Sequence, residues 1–152
     1  MNKLRKTKIL INLPPKLATV TTLIQCLMKD IIYKAEVTAE NTEMKNYIGL
    51  TATTFKVRHS NHKTSTNNPN SKQSTTLSTY IWKLKNEQKN PRTKFSVLRQ
   101  SKSFTPEIGK CHLCITEKME ILKFDSKKLL NARSEMLSKC RHKAKFTLEK
   151  FL

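Results

Sequence analysis

Five side chains of this sequence have the chemistry needed to cleave a phosphodiester bond, and they are Tyr33, Tyr47, Arg58, His62 and Glu117. Such cleavage needs an activated water, a cation beside the developing charge and a stabilised leaving oxygen. An arginine offers a planar fork of donors to a phosphate, and a carboxylate is a hard oxygen ligand that suits Mg²⁺. A tyrosine has an unperturbed pKa of about 10, so it needs a neighbouring cation or metal to act near neutral pH.

The spacing of these residues also allows simpler interpretations. Arg58 and His62 are four residues apart, so one face of a helix carries both, and His62 could accept or relay a proton. The same pair could be an ordinary solvated helix face, and tyrosines in strands are commonly packing residues. Glu117 could be an exposed helix residue, and Glu120 is a rival carboxylate three positions later.

Hydrophobic periodicity predicts the elements that must position these side chains. Residues 31–38 alternate apolar and polar, and residues 46–51 form a second strand behind a polar turn at 40–43, which together make a hairpin. Thr53 or Thr54 caps a helix that runs through His62. The remaining predicted elements are a loop at 65–74, a helix at 76–88, a strand at 93–100, a turn at 106–109, a helix at 112–122 and a short helix at 132–139.

This order of elements predicts a small α+β domain, in which helices flank a central antiparallel sheet. In the third strand we expect Phe95, Val97 and Arg99 on one face. The helix at 76–88 places its large apolar residues on a single face, and these are Leu77, Tyr80, Ile81 and Leu84. We predict that residues 1–25 form a basic arm, which we expect to be poorly ordered.

The charge of the chain points to a polyanionic partner. Thirty Lys and Arg residues against eleven Asp and Glu residues give a net charge of +19, and nucleic acid is the partner that such a charge favours most. A lysine-rich surface that only confers solubility remains an alternative. A membrane partner is disfavoured, because no segment pairs an apolar helical face with a basic one and no apolar run is long enough to span a bilayer.

The four cysteines suggest metal binding or plain burial. The sequence shows no secretory signal pattern, so we expect an intracellular chain with reduced thiols. Cys111 and Cys114 have the spacing of half a zinc site. Candidate ligands for the rest of a structural Zn²⁺ site are Cys26, His112, and Cys140 with His142.

Six short segments occur in an order that resembles the GIY-YIG nuclease superfamily, most closely the nuclease domain fused to reverse transcriptases in Penelope-like retroelements. They span roughly residues 26–148, which we take as the domain. The segments are Ile31-Ile32-Tyr33-Lys34-Ala35, Tyr47-Ile48-Gly49-Leu50-Thr51, Phe55-Lys56-Val57-Arg58 with His62-Lys63, Leu77-Ser78-Thr79-Tyr80-Ile81-Trp82, Cys111-His112-Leu113-Cys114-Ile115-Thr116-Glu117-Lys118 and Ser138-Lys139-Cys140-Arg141-His142-Lys143.

The resemblance implies roles for the candidate residues. Tyr33 would act as general base or position the water, Tyr47 would flank the water and phosphate, and Arg58 would hold the phosphate. Glu117 would bind Mg²⁺ or Mn²⁺. The residues expected beside the DNA are Gly49, Lys56, Lys63 and Asn131, of which Asn131 would act structurally by bonding loops next to the site. Gly49 also suits a close backbone approach to DNA or a tight turn.

The function that the resemblance implies is a metal-dependent endonuclease in the nucleus. It would nick chromosomal DNA to expose a 3′ hydroxyl that primes reverse transcription, with a reverse transcriptase module as partner. Three positions depart from the family pattern: Ile31 replaces the opening glycine and is expected to crowd the turn, Tyr80 replaces a histidine, and no cysteine lies near Val20. A catalytically inactive, basic nucleic-acid-binding remnant is the alternative.

Overall fold

A computed structural model of the chain describes residues 25–103, 111–131 and 140. The basic arm (apart from residue 25), the turn at 106–109 and the helix at 132–139 therefore lie outside the described residues. None of the helices within them is long and apolar enough to cross a membrane. The elements are β1 (Ile31–Thr38), β2 (Lys45–Thr51), α1 (Phe55–Asn67), a 3-10 turn (Pro69–Ser71), α2 (Thr76–Asn86), β3 (Arg92–Gln100), α3 (His112–Leu122) and a second 3-10 turn (Ser126–Lys128).

The three strands form one antiparallel sheet in the order β2-β1-β3. β1 is central, and every residue from Ile31 to Tyr33 is fully buried, since helices pack on both sides of this strand. The prediction of a small central antiparallel sheet flanked by helices is confirmed. The predicted hairpin is confirmed as well, with β2 beginning one residue earlier than expected.

Alternate residues of the sheet form two separate clusters. On one side, which we call the aromatic face, rings dominate and α1 and α2 cover the sheet; its buried members include Tyr33, Tyr47, Phe55, Leu77 and Phe95. On the other side, which we call the cysteine face, α3 packs on aliphatic side chains and thiols; its members include Ile32, Ile48, Cys111, Leu113 and Cys114.

A β-bulge in β3 reverses the predicted direction of one side chain. Val97 pairs with Tyr33, but the next pair is Arg99 with Ile32, so Leu98 is an extra residue. Because paired residues share a face, Arg99 lies on the cysteine face with Ile32 and not with Phe95 and Val97. The prediction for Arg99 is therefore wrong, and Arg99 instead contacts Glu120 of α3 at 3.5 Å.

Both helices on the aromatic face differ from their predicted bounds. α1 continues to Asn67, so the loop predicted at 65–74 is wrong in its first part; Ser65 is buried, and its carbonyl oxygen accepts a hydrogen bond from Trp82 Nε1 at 2.9 Å. α2 ends two residues early because Gln88 adopts a left-handed conformation with φ 57°. The Gln88 and Lys89 amides then bond back to the last turn, which is a Schellman termination.

Ile31 begins β1 without crowding the preceding turn. The left-handed residue there is Asp30, with φ 53°, and Ile31 is extended and fully buried in the core of the aromatic face. An aspartate tolerates this conformation better than most residues do. The expected conflict at Ile31 is wrong, because the tight backbone position falls one residue earlier.

Candidate active site

The Tyr33 hydroxyl is the centre of a buried hydrogen-bond network between β1 and α1. Arg58 Nε donates to Tyr33 Oη at 2.9 Å, and His62 Nε2 lies 2.6 Å from the same oxygen. Tyr33 is 0% exposed and His62 is 3% exposed. Arg58 is only partly buried, so it is the member of this trio that reaches the surface.

Burial sets the protonation states in this network. It raises the pKa of Tyr33 well above its usual value; the neighbouring Tyr47 raises it further, while Arg58 opposes the shift. Burial lowers the pKa of His62 to about 3, and the charge of Arg58 adds to that effect. At neutral pH the phenol is therefore protonated and the imidazole is neutral. In the His62 tautomer that carries its proton on Nδ1, the Tyr33 hydroxyl donates to the unprotonated Nε2.

Tyr47 joins the network from β2. Its ring lies edge-on to the His62 ring at a centroid distance of 5.9 Å and 6.4 Å from the Tyr33 ring. Its hydroxyl is hydrogen-bonded to Arg58. The Arg58 guanidinium thus bridges the two tyrosines, an arrangement that presents one cation beside two phenol oxygens.

Gly49 is required by the packing of Tyr33. Gly49 lies within β2 directly opposite Tyr33, so the tight-turn interpretation is wrong. A Cβ atom at this position would lie 2.4 Å from Tyr33 Oη and 2.9 Å from Tyr47 Cε1. The missing side chain therefore provides the space in which the Tyr33 phenol lies.

Glu117, on α3, is close enough to Tyr33 for its charge to act on the phenol. It is 5% exposed, and its negative charge is among the causes, after burial and Tyr47, that raise the pKa of Tyr33. The rival carboxylate Glu120 is engaged elsewhere, with Lys123 Nζ at 2.6 Å and Arg99 at 3.5 Å. The fold therefore brings Tyr33, Tyr47, Arg58 and His62 into one contact network, and Glu117, unlike Glu120, acts on that network through its charge.

The residues expected beside the DNA occupy two different environments. Lys56 and Lys63 are exposed on α1, on the side of the helix that faces solvent. Asn131 is buried, and its amide contacts the backbone of β2: Oδ1 accepts from the Ile48 amide at 2.7 Å and Nδ2 donates to the Ile48 carbonyl at 2.8 Å. Asn131 therefore holds β2 in place.

His59 is a neighbour of the site that the sequence reasoning missed. Its ring lies edge-on to Phe95 at a centroid distance of 4.9 Å, and it contributes to the lowered pKa of His62 after burial and Arg58. Its position four residues after Phe55 and three before His62 is the helical spacing that could have identified it.

Three of the four cysteines form a cluster on the cysteine face. The Sγ atoms of Cys111, Cys114 and Cys140 all lie within 4.8 Å of one another, and such a cluster could bind a metal ion such as zinc. Cys26 is not part of this group, so its prediction as a ligand is not supported. Among the other predicted donors, His112 is exposed and His142 lies outside the described residues.

Comparison with known proteins identified no relative of this chain. No protein-family model matches the chain, and no curated protein or solved structure is significantly similar to it.

Proposed function

We propose that this chain is a metal-dependent DNA endonuclease of the GIY-YIG type, derived from a Penelope-like retroelement. The observation that carries the proposal is the proximity of five chemically suited side chains, in which Arg58 and His62 bond to the Tyr33 hydroxyl, Tyr47 lies beside them and Glu117 acts on Tyr33 through its charge. They come from four different elements, and those elements bring residues up to 84 positions apart to one place. A hydrophobic core alone has no need of an arginine, a histidine and a carboxylate around one phenol.

The hydrogen bonds define a proton path. A water beside Tyr33 would pass a proton to Oη while the Tyr33 proton moves to His62 Nε2 at 2.6 Å. His62 starts as the neutral imidazole, so its Nε2 lone pair can take this proton. A pKa of about 3 makes it a weak base, and one cause of that low pKa, the charge of Arg58, would be weakened as Arg58 moves toward a phosphate.

Arg58 is also the group that a DNA phosphate meets first. It is the part-exposed member of the trio and carries a planar fork of donors. Movement of the guanidinium toward a phosphate would weaken its bond to Tyr33 and give water access to the otherwise enclosed Oη. In this proposal, binding of the phosphate and exposure of Tyr33 Oη to water occur together.

Glu117 fits a hard divalent cation. It offers a carboxylate in the same site, and Mg²⁺ commonly takes one or two carboxylates and completes its shell with water. Bound Mg²⁺ or Mn²⁺ would supply charge stabilisation for the phosphate and the leaving oxygen. Lys56, Lys63 and the +19 charge would provide the sequence-independent hold on the DNA backbone.

The biological task proposed for this activity is nicking of nuclear DNA. A nick leaves a 3′ hydroxyl, which a partner reverse transcriptase can extend. This task is the one implied by the order of the sequence motifs.

The proposal is tested by plasmid nicking with purified protein in Mg²⁺ or Mn²⁺. We expect Glu117→Gln to reduce the nicking rate by a factor on the order of 10²–10³, the usual cost of losing one charge-stabilising group, while DNA binding in a filter assay is retained. Glu120→Gln is the matched control and should nick like the parent protein. Equal rates in Glu117→Gln and the parent would contradict the proposed role.

A second function is favoured by one observation. Tyr33 is fully buried and has two hydrogen-bond partners, as a purely structural tyrosine would have. The chain would then be an inactive, basic nucleic-acid-binding remnant with the same fold. DNA binding without nicking in Mg²⁺ and in Mn²⁺ would establish this function over the first.

A further inference from the structure

We propose that Cys111, Cys114 and Cys140 bind one structural zinc ion on the cysteine face, independently of any nuclease activity. The three thiols come from two distant parts of the sequence, the beginning of α3 and position 140. Two are buried and the third is partly buried, so the site is shielded from solvent.

The distances between the sulfur atoms agree with those of a zinc site. A Zn–S bond is about 2.3 Å long, so two thiolates on a tetrahedral zinc lie about 3.8 Å apart. Cys114 Sγ and Cys140 Sγ are 3.6 Å apart, and all three sulfur atoms lie within 4.8 Å of one another. A disulfide would instead need about 2.05 Å between two sulfur atoms and would leave the third thiol beside it.

The beginning of α3 fixes the position of one of the three sulfur atoms. Cys111 is the N-cap residue, and the backbone N–H of Cys114 donates to Cys111 Sγ at 3.5 Å. This amide-to-sulfur bond is a second contact that orients a ligand before metal binds.

Ligand softness separates this site from the one at Glu117. Thiolates select zinc over Mg²⁺ and Mn²⁺, whereas a lone carboxylate favours the harder ions. A zinc ion here would join position 140 to the first turn of α3. Since Glu117 lies three residues after Cys114 on that helix, the zinc also fixes the helix that carries the candidate magnesium ligand.

Metal analysis of the purified chain tests the proposal. We expect one zinc ion per chain after purification in zinc-containing buffer and exhaustive dialysis against metal-free buffer. Cys114→Ser and Cys140→Ser should lose bound zinc, and Cys26→Ser, the matched control outside the cluster, should retain it. Zinc retained by Cys140→Ser as fully as by the parent, or lost equally by Cys26→Ser, would overturn the assignment.

Cobalt substitution keeps the proposal testable if a serine variant fails to fold. Co²⁺ added to the metal-free parent protein should produce an intense sulfur-to-cobalt charge-transfer band, whose strength reports the number of thiolates. Absence of this band, or a disulfide between Cys114 and Cys140 in the reduced-buffer preparation, would overturn it. Neither measurement depends on nicking, so the zinc site and the proposed nuclease function stand or fall separately.

Discussion

On the aromatic face, Tyr33 is surrounded by four rings at centroid distances of 5.5 to 6.4 Å, and its polar atoms bond to side chains of the same cluster. On the cysteine face, aliphatic side chains surround three thiols that could bind a soft metal ion such as zinc. The first face defines its protonation states through its own contacts. The second face would be completed by an ion taken up from solution.

Because β1 contributes alternate residues to both faces, the two sites are mechanically linked through one strand. Ile32 packs on the cysteine face between Ile31 and Tyr33 of the aromatic face. The two faces should therefore respond to different conditions. A change of pH should mainly affect the aromatic face, and the supply of metal ions should mainly affect the cysteine face.

The largest loss of stability is expected when a ring is removed from the core of the aromatic face. Phe55→Ala removes a fully buried ring that contacts Tyr33, and we expect it to lower the free energy of unfolding by about 3–5 kcal/mol. Val57→Ala, two residues later on the exposed side of α1, should change it by less than about 0.5 kcal/mol. Urea unfolding followed by circular dichroism measures both, and similar losses in the two variants would refute this packing.

A smaller loss of stability is expected when a side chain fills the space beside Gly49. Gly49→Ala places a methyl group against the Tyr33 phenol and should destabilise the fold by about 1–3 kcal/mol through overpacking. In a Tyr33→Ala background the same substitution should cost much less, because the obstructing ring is gone. A double-mutant cycle of unfolding free energies measures the difference, and additive costs would show that Gly49 serves some other purpose.

The pH dependence of the free energy of unfolding should report on the aromatic face, through His62. The pKa of His62 is about 3 in the folded state and about 6.5 when unfolded, so the unfolded chain binds more protons between these values. Its contribution is fully present above pH 6.5 and is lost as pH falls toward 3, at up to about 1.4 kcal/mol per pH unit.

His62→Gln should flatten that part of the stability profile relative to the parent protein. The measurement is unfolding free energy from pH 7 to pH 4 in both proteins. An NMR titration in which the His62 ring protonates near pH 6.5 would contradict the buried, neutral state. Carboxylates also titrate in this range, which is why the difference between the two proteins is the relevant quantity.

The smallest effect concerns Arg99, which the bulge directs to the cysteine face. Its pair with Glu120 is largely exposed on the arginine side, so Arg99→Ala should cost no more than about 1 kcal/mol. It should also leave the pH profile associated with His62 unchanged. A changed His62 profile would mean that Arg99 lies on the aromatic face, as strict alternation predicts.

The sequence predicts the bounds of an element well where a local pattern of apolar residues alone determines them. The bounds of β1 and α3 agree with the sequence-based prediction, because each has a continuous pattern of apolar residues and a clear break at both ends. The extension of α1 could not be predicted, since one of its contacts, the bond from Trp82 Nε1 to the Ser65 carbonyl, comes from a different helix. The bulge at Leu98 likewise depends on the partner strand.

The candidate site was predicted by residue type, whereas its geometry was not. The motif order identified Tyr33, Arg58, His62 and Glu117, which the fold brings together. The depth of burial of Tyr33 and the need for Gly49 arise from contacts between strands, which a linear pattern does not contain. Cys140 was one of several possible zinc ligands until the fold placed it beside Cys114.

The Asn131 contact with Ile48 has a consequence for how copies of the chain behave toward each other. β2 is one edge of the described sheet, and open edges invite strands from other molecules to add on and aggregate. With Asn131 on Ile48 and Leu130 bonded to Asn46, the Ile48 amide and carbonyl and the Asn46 carbonyl are occupied within the molecule. The opposite edge, β3, carries Arg92, Lys94 and Arg99, whose like charges repel an identical edge. The small sheet is thus protected against self-association on one side by an amide and on the other by charge.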